Sequence, residues 1–511
     1  MIDLIANIQS DVADKELGDS MNEDKEEDTF EDLETTDPKD IDNFNKLAKD
    51  QASKDLSTLK NLTDLCDPNT LRPNISSLNQ QQRRLFNDFT ERMVSSDVNE
   101  RPVYLFLAGN AGTGKSFLVN ILIEAIKHIK IKAGDQLKKP PVIVMAPTAN
   151  AAYIIGGRTI DSVLGFNPVD PNHYTQTDAG RLAMMKFQYE DVKVIFCDEI
   201  SMVGSMKLAK INYRFQDIVE GSNKQEFMGG ISFVASGDLW QLPPIYDSMV
   251  TDKNNLDGRP DCAPSHWNEN FEIYYLTEKM RSQKDPYFSD LCDRVGKGKI
   301  TDKDEEYLRS RVKKTESEND NNNFKKGNLS IIVTTNKKKD LINTQKLTDL
   351  LPDKKEHICN SVDRVTNVPG RKLPKRLKDN PGKTGNLQTE LKLKVDAPIL
   401  ITSNHPKKKY KEDGIVNGAR GFVQSIQVSK ENQEKVEIVW VVFNKESVGR
   451  LYRFEHKHLR QNFNPGHELA TPILPERKNF TEKFGNVEYQ RTNFPLSLAY
   501  AMTAHKCQGE T

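Results

Sequence analysis

What these 511 residues lack narrows the field before any motif is read. No apolar run approaches the roughly 18 residues that a membrane-spanning helix needs. The opening MIDLIANIQSDVADKE has no basic start of the kind that a secretory signal carries. Cysteine is scarce: Cys66, Cys197, Cys262, Cys292, Cys359 and Cys507 include no C-x-x-C pair. That spacing argues against a zinc site and for reduced thiols in the cytosol or nucleus. Net charge is also missing, at −1 overall, but only by cancellation. Residues 1–60 carry 18 acidic residues against 7 lysines, net −11, and the remainder is net +10. The first segment, with NEDKEEDTFEDLETTDPKD at its centre, is poor in aromatics and has no sustained helical period, so residues 1–72 read as a disordered acidic tail. A solvated tail and an acidic stand-in for nucleic acid over a basic cleft are both open readings of it. The folded body is mildly basic, which permits a polyanionic partner without requiring one. The length allows about three domains.

The strongest positive signal is residues 103–116, VYLFLAGNAGTGKS. An apolar run of strand character leads into Gly109, Asn110, Ala111, Gly112, Thr113, Gly114, Lys115 and Ser116, and residues 117–130 then have a helical period. The eight residues match G-x-x-x-x-G-K-[ST] in the strand–loop–helix context that makes the pattern a phosphate site. The glycines let backbone N–H groups close around phosphate oxygens, and the helix N-terminus adds its positive end. Lys115 is expected at the β- and γ-phosphates of ATP, and the Ser116 hydroxyl at Mg²⁺.

Further buried strands are expected at 139–146 (KPPVIVMA), 191–197 (DVKVIFC) and 230–236, with helices at 149–155 and 206–220. Strands alternating with helices, and polar residues at the strand ends, describe an open parallel α/β sheet. Asp198 follows the second of these strands and is placed to hold Mg²⁺ beside Ser116. Glu199, next in the chain, is placed to orient and deprotonate an attacking water. Gln241, after the strand at 230–236, is a γ-phosphate sensor or an ordinary loop residue. Two polar stretches, 313–328 (KKTESENDNNNFKKGN) and 371–386 (RKLPKRLKDNPGKTGN), read as surface loops. Short strands with turn signals at 398–402, 421–428 and 435–443 suggest a small β-barrel, and KKKYK at 407–411 is solvated charge, a phosphate contact or a targeting signal.

GNAGTGKS, APTANAA, DEIS, GDLWQLPP, LTEKMRS, VNGARG and LSLAYAMTAHKCQGET occur here in one order. In that order the chain resembles the PIF-type (petite integration frequency) DNA helicases of the RecD-like branch of helicase superfamily one, from about residue 78 to 511. Cellular and rolling-circle-transposon members share these motifs. The resemblance implies an α/β fold of two RecA-like P-loop motor domains with parallel sheets, the first at 73–285 and the second at 286–511. It also implies an SH3-like β insertion at about 395–490. By position, Gln82 resembles the family's adenine-reading glutamine and Arg281 its γ-phosphate arginine. Gln508 and Gly509 fall in the family's nucleotide-contacting Q-G-x-T element, and Asn336 and Asn343 in its T-N-x(6)-N element.

The implied activity is ATP- and Mg²⁺-dependent translocation on single-stranded DNA and unwinding of duplexes with a single-stranded tail, 5′ to 3′. The implied setting is repair, recombination or telomere maintenance in the nucleus or mitochondrion, with oligomeric state unspecified. Thr148, Ser162, Thr503, His505 and Lys506 are the expected DNA-backbone contacts. Phe166 and Tyr174 either stack on bases or pack in the core. Two departures stand out. Asp161 replaces a family histidine and would repel a DNA phosphate beside Ser162. The family's Y-V-A-L-S-R-like segment, with its second γ-phosphate arginine, does not occur in this sequence. The expectation is therefore a truncated product that binds MgATP and DNA and unwinds poorly, unless Arg420 or Arg491 completes the site.

Overall fold

The structure, a computed structural model, describes residues 66–94, 101–130, 139–166, 174, 177–245, 247–252, 265–280, 285–312, 318–325, 329–366, 374, 384–461, 463–481 and 487–507. Residues 1–65 and most of 371–386 lie outside the described residues. Residues 66–72, expected in the tail, instead lead into the helix Pro68–Ser76, with Leu71 buried in a core. Within 313–328, expected as a surface loop, Glu318–Lys325 is a helix that buries Phe324. Contacts group the described chain into two compact units, divided between Arg309 and Ser310.

The first unit is built on six parallel strands: β1 Tyr104–Gly109, β2 Val142–Ala146, β3 Arg158–Thr159, β4 Val194–Cys197, β5 Ser232–Gly237 and β6 Glu272–Leu276, in spatial order β3-β2-β4-β5-β1-β6. The continuous apolar runs of the sequence follow from burial on both faces. Phe106, Ile143, Met145 and Ile195 point into one core. Their chain neighbours Leu105, Leu107, Val142, Val144 and Phe196 point into the other. The helix Lys115–Lys130 adds Leu118, Leu122 and Ile126, spaced four apart, to the second core. β3 and β6 were not expected from the sequence. β3 is two residues long and has no room for an apolar run, whereas β6 carries one, EIYYL, but as an edge strand leaves Ile273 and Tyr275 exposed.

The second unit contains β7 Ile331–Val333, β8 His357–Asn360, β9 Val362–Val365, β10 Glu390–Leu393, β11 Pro398–Ile401, β12 Arg420–Val428 and β13 Val436–Phe443. Then come β14 Thr471–Ile473, β15 Glu476–Thr481, β16 Glu488–Asn493, β17 Leu496–Leu498 and β18 Ala501–Thr503. β7 and β18 form a parallel pair, against which the helix Asn336–Leu350 packs. The remaining strands are antiparallel: β14-β13-β12-β11-β17, β15-β16-β9 and β10-β8. The antiparallel part thus recruits strands on both sides of 395–490.

Buried polar side chains link the elements of this unit, Asn343 and Arg491 among them. Asn343, 3 % exposed, donates from Nδ2 to the carbonyls of Leu498 and Ala501, each at 3.1 Å, and accepts from the Ala501 N–H at 2.7 Å. Arg491, fully buried, makes a two-pronged pair with Asp363 at 2.7 and 2.9 Å and also donates to Thr384 and to the Leu387 carbonyl. So engaged, Arg491 is a structural ion pair and not a spare phosphate contact. Among the described residues no helix is long and apolar enough to cross a membrane.

Candidate functional site

The parallel register brings the carboxyl ends of β1, β4 and β5 level. Leu107 lies beside Ser236, and Cys197 beside Ala235. Crevices outside such strand ends are where open α/β sheets bind ligands. The P-loop leaves β1 at Gly109. There an added Cβ would come within 2.7 Å of the Thr113 hydroxyl and 2.8 Å of the Leu276 carbonyl, so only glycine fits. Lys115 turns its ammonium back onto the carbonyls of Gly109, at 2.6 Å, and Asn110, at 3.1 Å. These are bonds that a phosphate can replace, because the carbonyls are the loop's own.

Ser116 donates to Asp198 Oδ2 at 3.0 Å, joining residues 82 positions apart. Asp198 is 5 % exposed, and its other oxygen accepts from Ser236 at 2.6 Å and from the Glu199 N–H at 3.0 Å. A hydroxyl and a carboxylate meeting at the P-loop are a hard oxygen donor set, the kind that suits Mg²⁺ shared with phosphates. Glu199 sits in the left-handed region (φ 53°, ψ 46°), a conformation that costs a non-glycine residue roughly 1–2 kcal/mol and concentrates at functional sites. β5 accommodates it: a Cβ on Gly237 would meet the Ile200 N at 2.9 Å, so the glycine that opens GDLWQLPP lets the DEIS turn pass. Gln241, half-buried, donates to Asp238 at 3.4 Å from its side chain and at 2.9 Å from its backbone.

Gln82 is 1 % exposed and packed against the loop. Its Nε2 donates to the Thr113 carbonyl at 3.2 Å and its Oε1 accepts from the Asn79 N–H at 3.2 Å. Arg281, Gln508 and Gly509 lie outside the described residues, as do the side chains of His505 and Lys506. The residue before Arg281 touches the loop: the Met280 N–H donates to the Gly112 carbonyl at 2.9 Å.

Three participants were missed by reading the sequence. Ser236, at the end of β5, is a strand-end polar residue that its FVASGD context could have flagged. Asp293 accepts from the Asn110 side chain at 2.6 Å and from Lys279 at 2.7 Å. Asp293 carries no local signal, because folding alone brings it beside Asn110, and Lys279 lies inside LTEKMRS, whose context could have flagged it.

Of the expected DNA contacts, Thr148 lies past the end of β2 and caps the helix Ala149–Ile154, accepting from the Ala151 N–H at 3.3 Å. Ser162 is exposed on the short helix Ile160–Leu164. Beside it Asp161 is ion-paired with Lys207, so the expected repulsion of phosphate is offset by a cation already in place. Phe166 packs against the core under Lys207 and Arg214, and Tyr174 donates to Asp217 and lies against Tyr213. Both rings are therefore packing elements. Thr503 ends β18 in the second unit, where its carbonyl accepts from Cys507 Sγ at 3.5 Å.

A P-loop, a strand-end Asp-Glu pair and this strand order define the chain as a P-loop nucleotide-binding α/β protein of the RecA-like type. The sequence model of the PIF1-like helicase family matches residues 77–306. Over this stretch the chain resembles that family. The ATP-dependent DNA helicase Pif1 of Campylobacter jejuni is 27% identical over 423 residues, covering 79% of this chain and 80% of that one. The helicase of the same name from Bdellovibrio bacteriovorus is 25% identical over 410 residues, covering 80% and 76%. In fold, the chain resembles the crystal structure of Pif1 helicase from Candida albicans, with a TM-score of 0.57, 23% identity, and 85% and 86% coverage. Bacteroides Pif1 bound to single-stranded DNA gives 0.54 at 23% identity, covering 85% and 84%.

Proposed function

We propose that this protein is an ATP-dependent DNA helicase, coupling MgATP hydrolysis to movement along single-stranded DNA and separation of a tailed duplex. The meeting of Ser116, Asp198 and Glu199 at the P-loop carries the reading. In it, Gly109 to Gly114 cradle the phosphates through backbone N–H groups, and Lys115 exchanges the carbonyls of Gly109 and Asn110 for phosphate oxygens. Ser116 and Asp198 would hold Mg²⁺, which supplies positive charge against the phosphate oxygens. Glu199 receives the proton of the attacking water, and the left-handed backbone that precedes the Ile200–Met202 turn aims its carboxylate. Gln241 and Arg281 report the state of the γ-phosphate, Gln82 faces the base, and Gln508 and Gly509 contact the nucleotide. Thr148, Ser162, Thr503, His505 and Lys506 grip the DNA backbone, which suits a motor indifferent to sequence. The proposed motor domains are 73–285 and 286–511. A nuclear or mitochondrial address and a role in repair, recombination or telomere maintenance complete the proposal.

The deciding measurement is strand separation of a duplex bearing a 5′ single-stranded tail, with and without MgATP. Unwinding that requires both the tail and hydrolysable ATP supports the reading. DNA-stimulated ATP hydrolysis with no strand separation reduces the protein to an ATP- and DNA-binding module.

A further inference from the structure

The second unit carries a half-open cavity of about 370 Å³, the size of a small-ligand site. One wall is aromatic. The rings of His405, Tyr410 and Tyr452 meet edge to face with centroids 4.6 to 5.4 Å apart, and His456 stacks on Tyr452 at 3.9 Å. The wall is held in advance: the Tyr410 hydroxyl donates to Glu455 at 2.5 Å, and the Tyr452 N–H to Asp413 at 2.9 Å.

Among the described residues a single carboxylate lines the cavity, that of Glu476 at the start of β15. Its side chain is 12% exposed, and its Oε2 accepts from Ser403 at 3.3 Å and lies 3.6 Å from Lys478 Nζ. The rim is basic, with Lys407 and Arg477 exposed on it. Burial, reinforced by Lys407, Lys478, His456 and Lys411, pushes the His405 pKa down to about 4, so this imidazole is a neutral ring at physiological pH.

These features select among ligands. A methylated ammonium suits aromatic rings and a carboxylate, but the cations of the rim oppose it. A simple acid suits the rim, but Glu476 opposes it. A nucleobase carrying a phosphate satisfies both, with a flat π face for the rings and negative charge for the rim. Among bases, guanine alone presents two adjacent donors, N1–H and the N2 amino group, to the two oxygens of a carboxylate.

We propose that this cavity binds a guanine nucleotide unit, its base against the Tyr410–Tyr452–His405 wall, its Watson–Crick edge on Glu476 and its 5′-phosphate at Lys407 and Arg477. This would be a second nucleotide site, in a different unit from the P-loop, and it stands whether or not the helicase reading does. The unit bound is either free guanine nucleotide or a guanine within a single strand.

The test uses the full chain with its P-loop saturated by a non-hydrolysable ATP analogue. Titration with 5′-GMP and 5′-AMP, followed by ligand-observed NMR and calorimetry, should show saturable GMP binding about tenfold tighter than AMP, the discrimination of one good paired contact. Glu476→Gln should bring the two within about twofold while circular dichroism stays unchanged, since an amide offers one acceptor where the carboxylate offers two. Lys407→Glu with Arg477→Glu, both exposed, should weaken both nucleotides about tenfold or more. The source follows from displacement of GMP by 15-mer thymidine strands with and without one central guanine. Displacement by the guanine-bearing strand alone assigns the site to the strand, and displacement by neither assigns it to free nucleotide. Absence of saturable GMP binding up to about 10 mM, equal binding of AMP, or equal displacement by both strands overturns the proposal.

Discussion

The two units use buried polar side chains for opposite ends. In the first, Lys115, Ser116 and Asp198 gather at the open carboxyl ends of parallel strands, bonded to one another and to loop carbonyls. Each of those bonds has a counterpart that a phosphate or a cation can supply, so the cluster exchanges partners without unfolding anything. In the second, Arg491 is sealed among antiparallel strands and Asn343 on the helix beside the parallel β7–β18 pair, joined to Asp363 and to backbone. No incoming ligand can replace those partners. A polar side chain is therefore functional or architectural according to whether its partners are exchangeable, which burial alone does not reveal: Asp198 and Arg491 are both almost inaccessible.

The contrast breaks most completely at Lys115. Lys115→Ala should abolish ATP turnover while leaving the melting temperature and most single-strand binding unchanged. DNA-stimulated hydrolysis surviving in that variant would remove Lys115 from the site. Next in size is Glu199→Gln, which should still bind MgATP but turn it over about 10²–10⁴-fold more slowly. Loss of nucleotide binding in a filter or fluorescence assay would instead make Glu199 a structural residue.

On the architectural side, Arg491→Met should cost about 3–5 kcal/mol in denaturant unfolding, because it strands the Asp363 carboxylate without its partner. The ATP-binding affinity of the variant's folded fraction should be that of the unaltered chain. A stability change under 1 kcal/mol would show the pair to be dispensable.

The smallest effect concerns pH. His405 has its folded pKa depressed from 6.5 to about 4, chiefly by burial, so the unfolded chain binds the extra proton first. The stability this group contributes is present above pH 6.5 and is lost as pH falls toward 4. His405→Gln should flatten that part of the melting-temperature profile between pH 7 and 4.5, and an unchanged profile would exclude His405 as its source.

By itself the sequence determined the P-loop, the strands leading into it and into Asp198, and the candidate roles of Lys115, Ser116 and Glu199. Each of these is a local pattern: an apolar run buried on both faces, glycines where side chains will not fit, and polar residues at a strand's end. The two-residue edge strand β3 left no such pattern, because it buries too little to demand one. Only the tertiary structure decided that Ser236 shares Asp198 with Ser116, that Asp293 anchors Asn110, and that Lys207 neutralises Asp161. Nor did the sequence distinguish Arg491 from a spare phosphate contact, or place His405, Tyr410, Tyr452 and Glu476 around one cavity. The physical reason is range. Propensity, glycine geometry and burial act over a few residues, whereas the partner of a charged side chain is chosen by whatever the fold brings within 3 Å of it, here from up to 183 positions away.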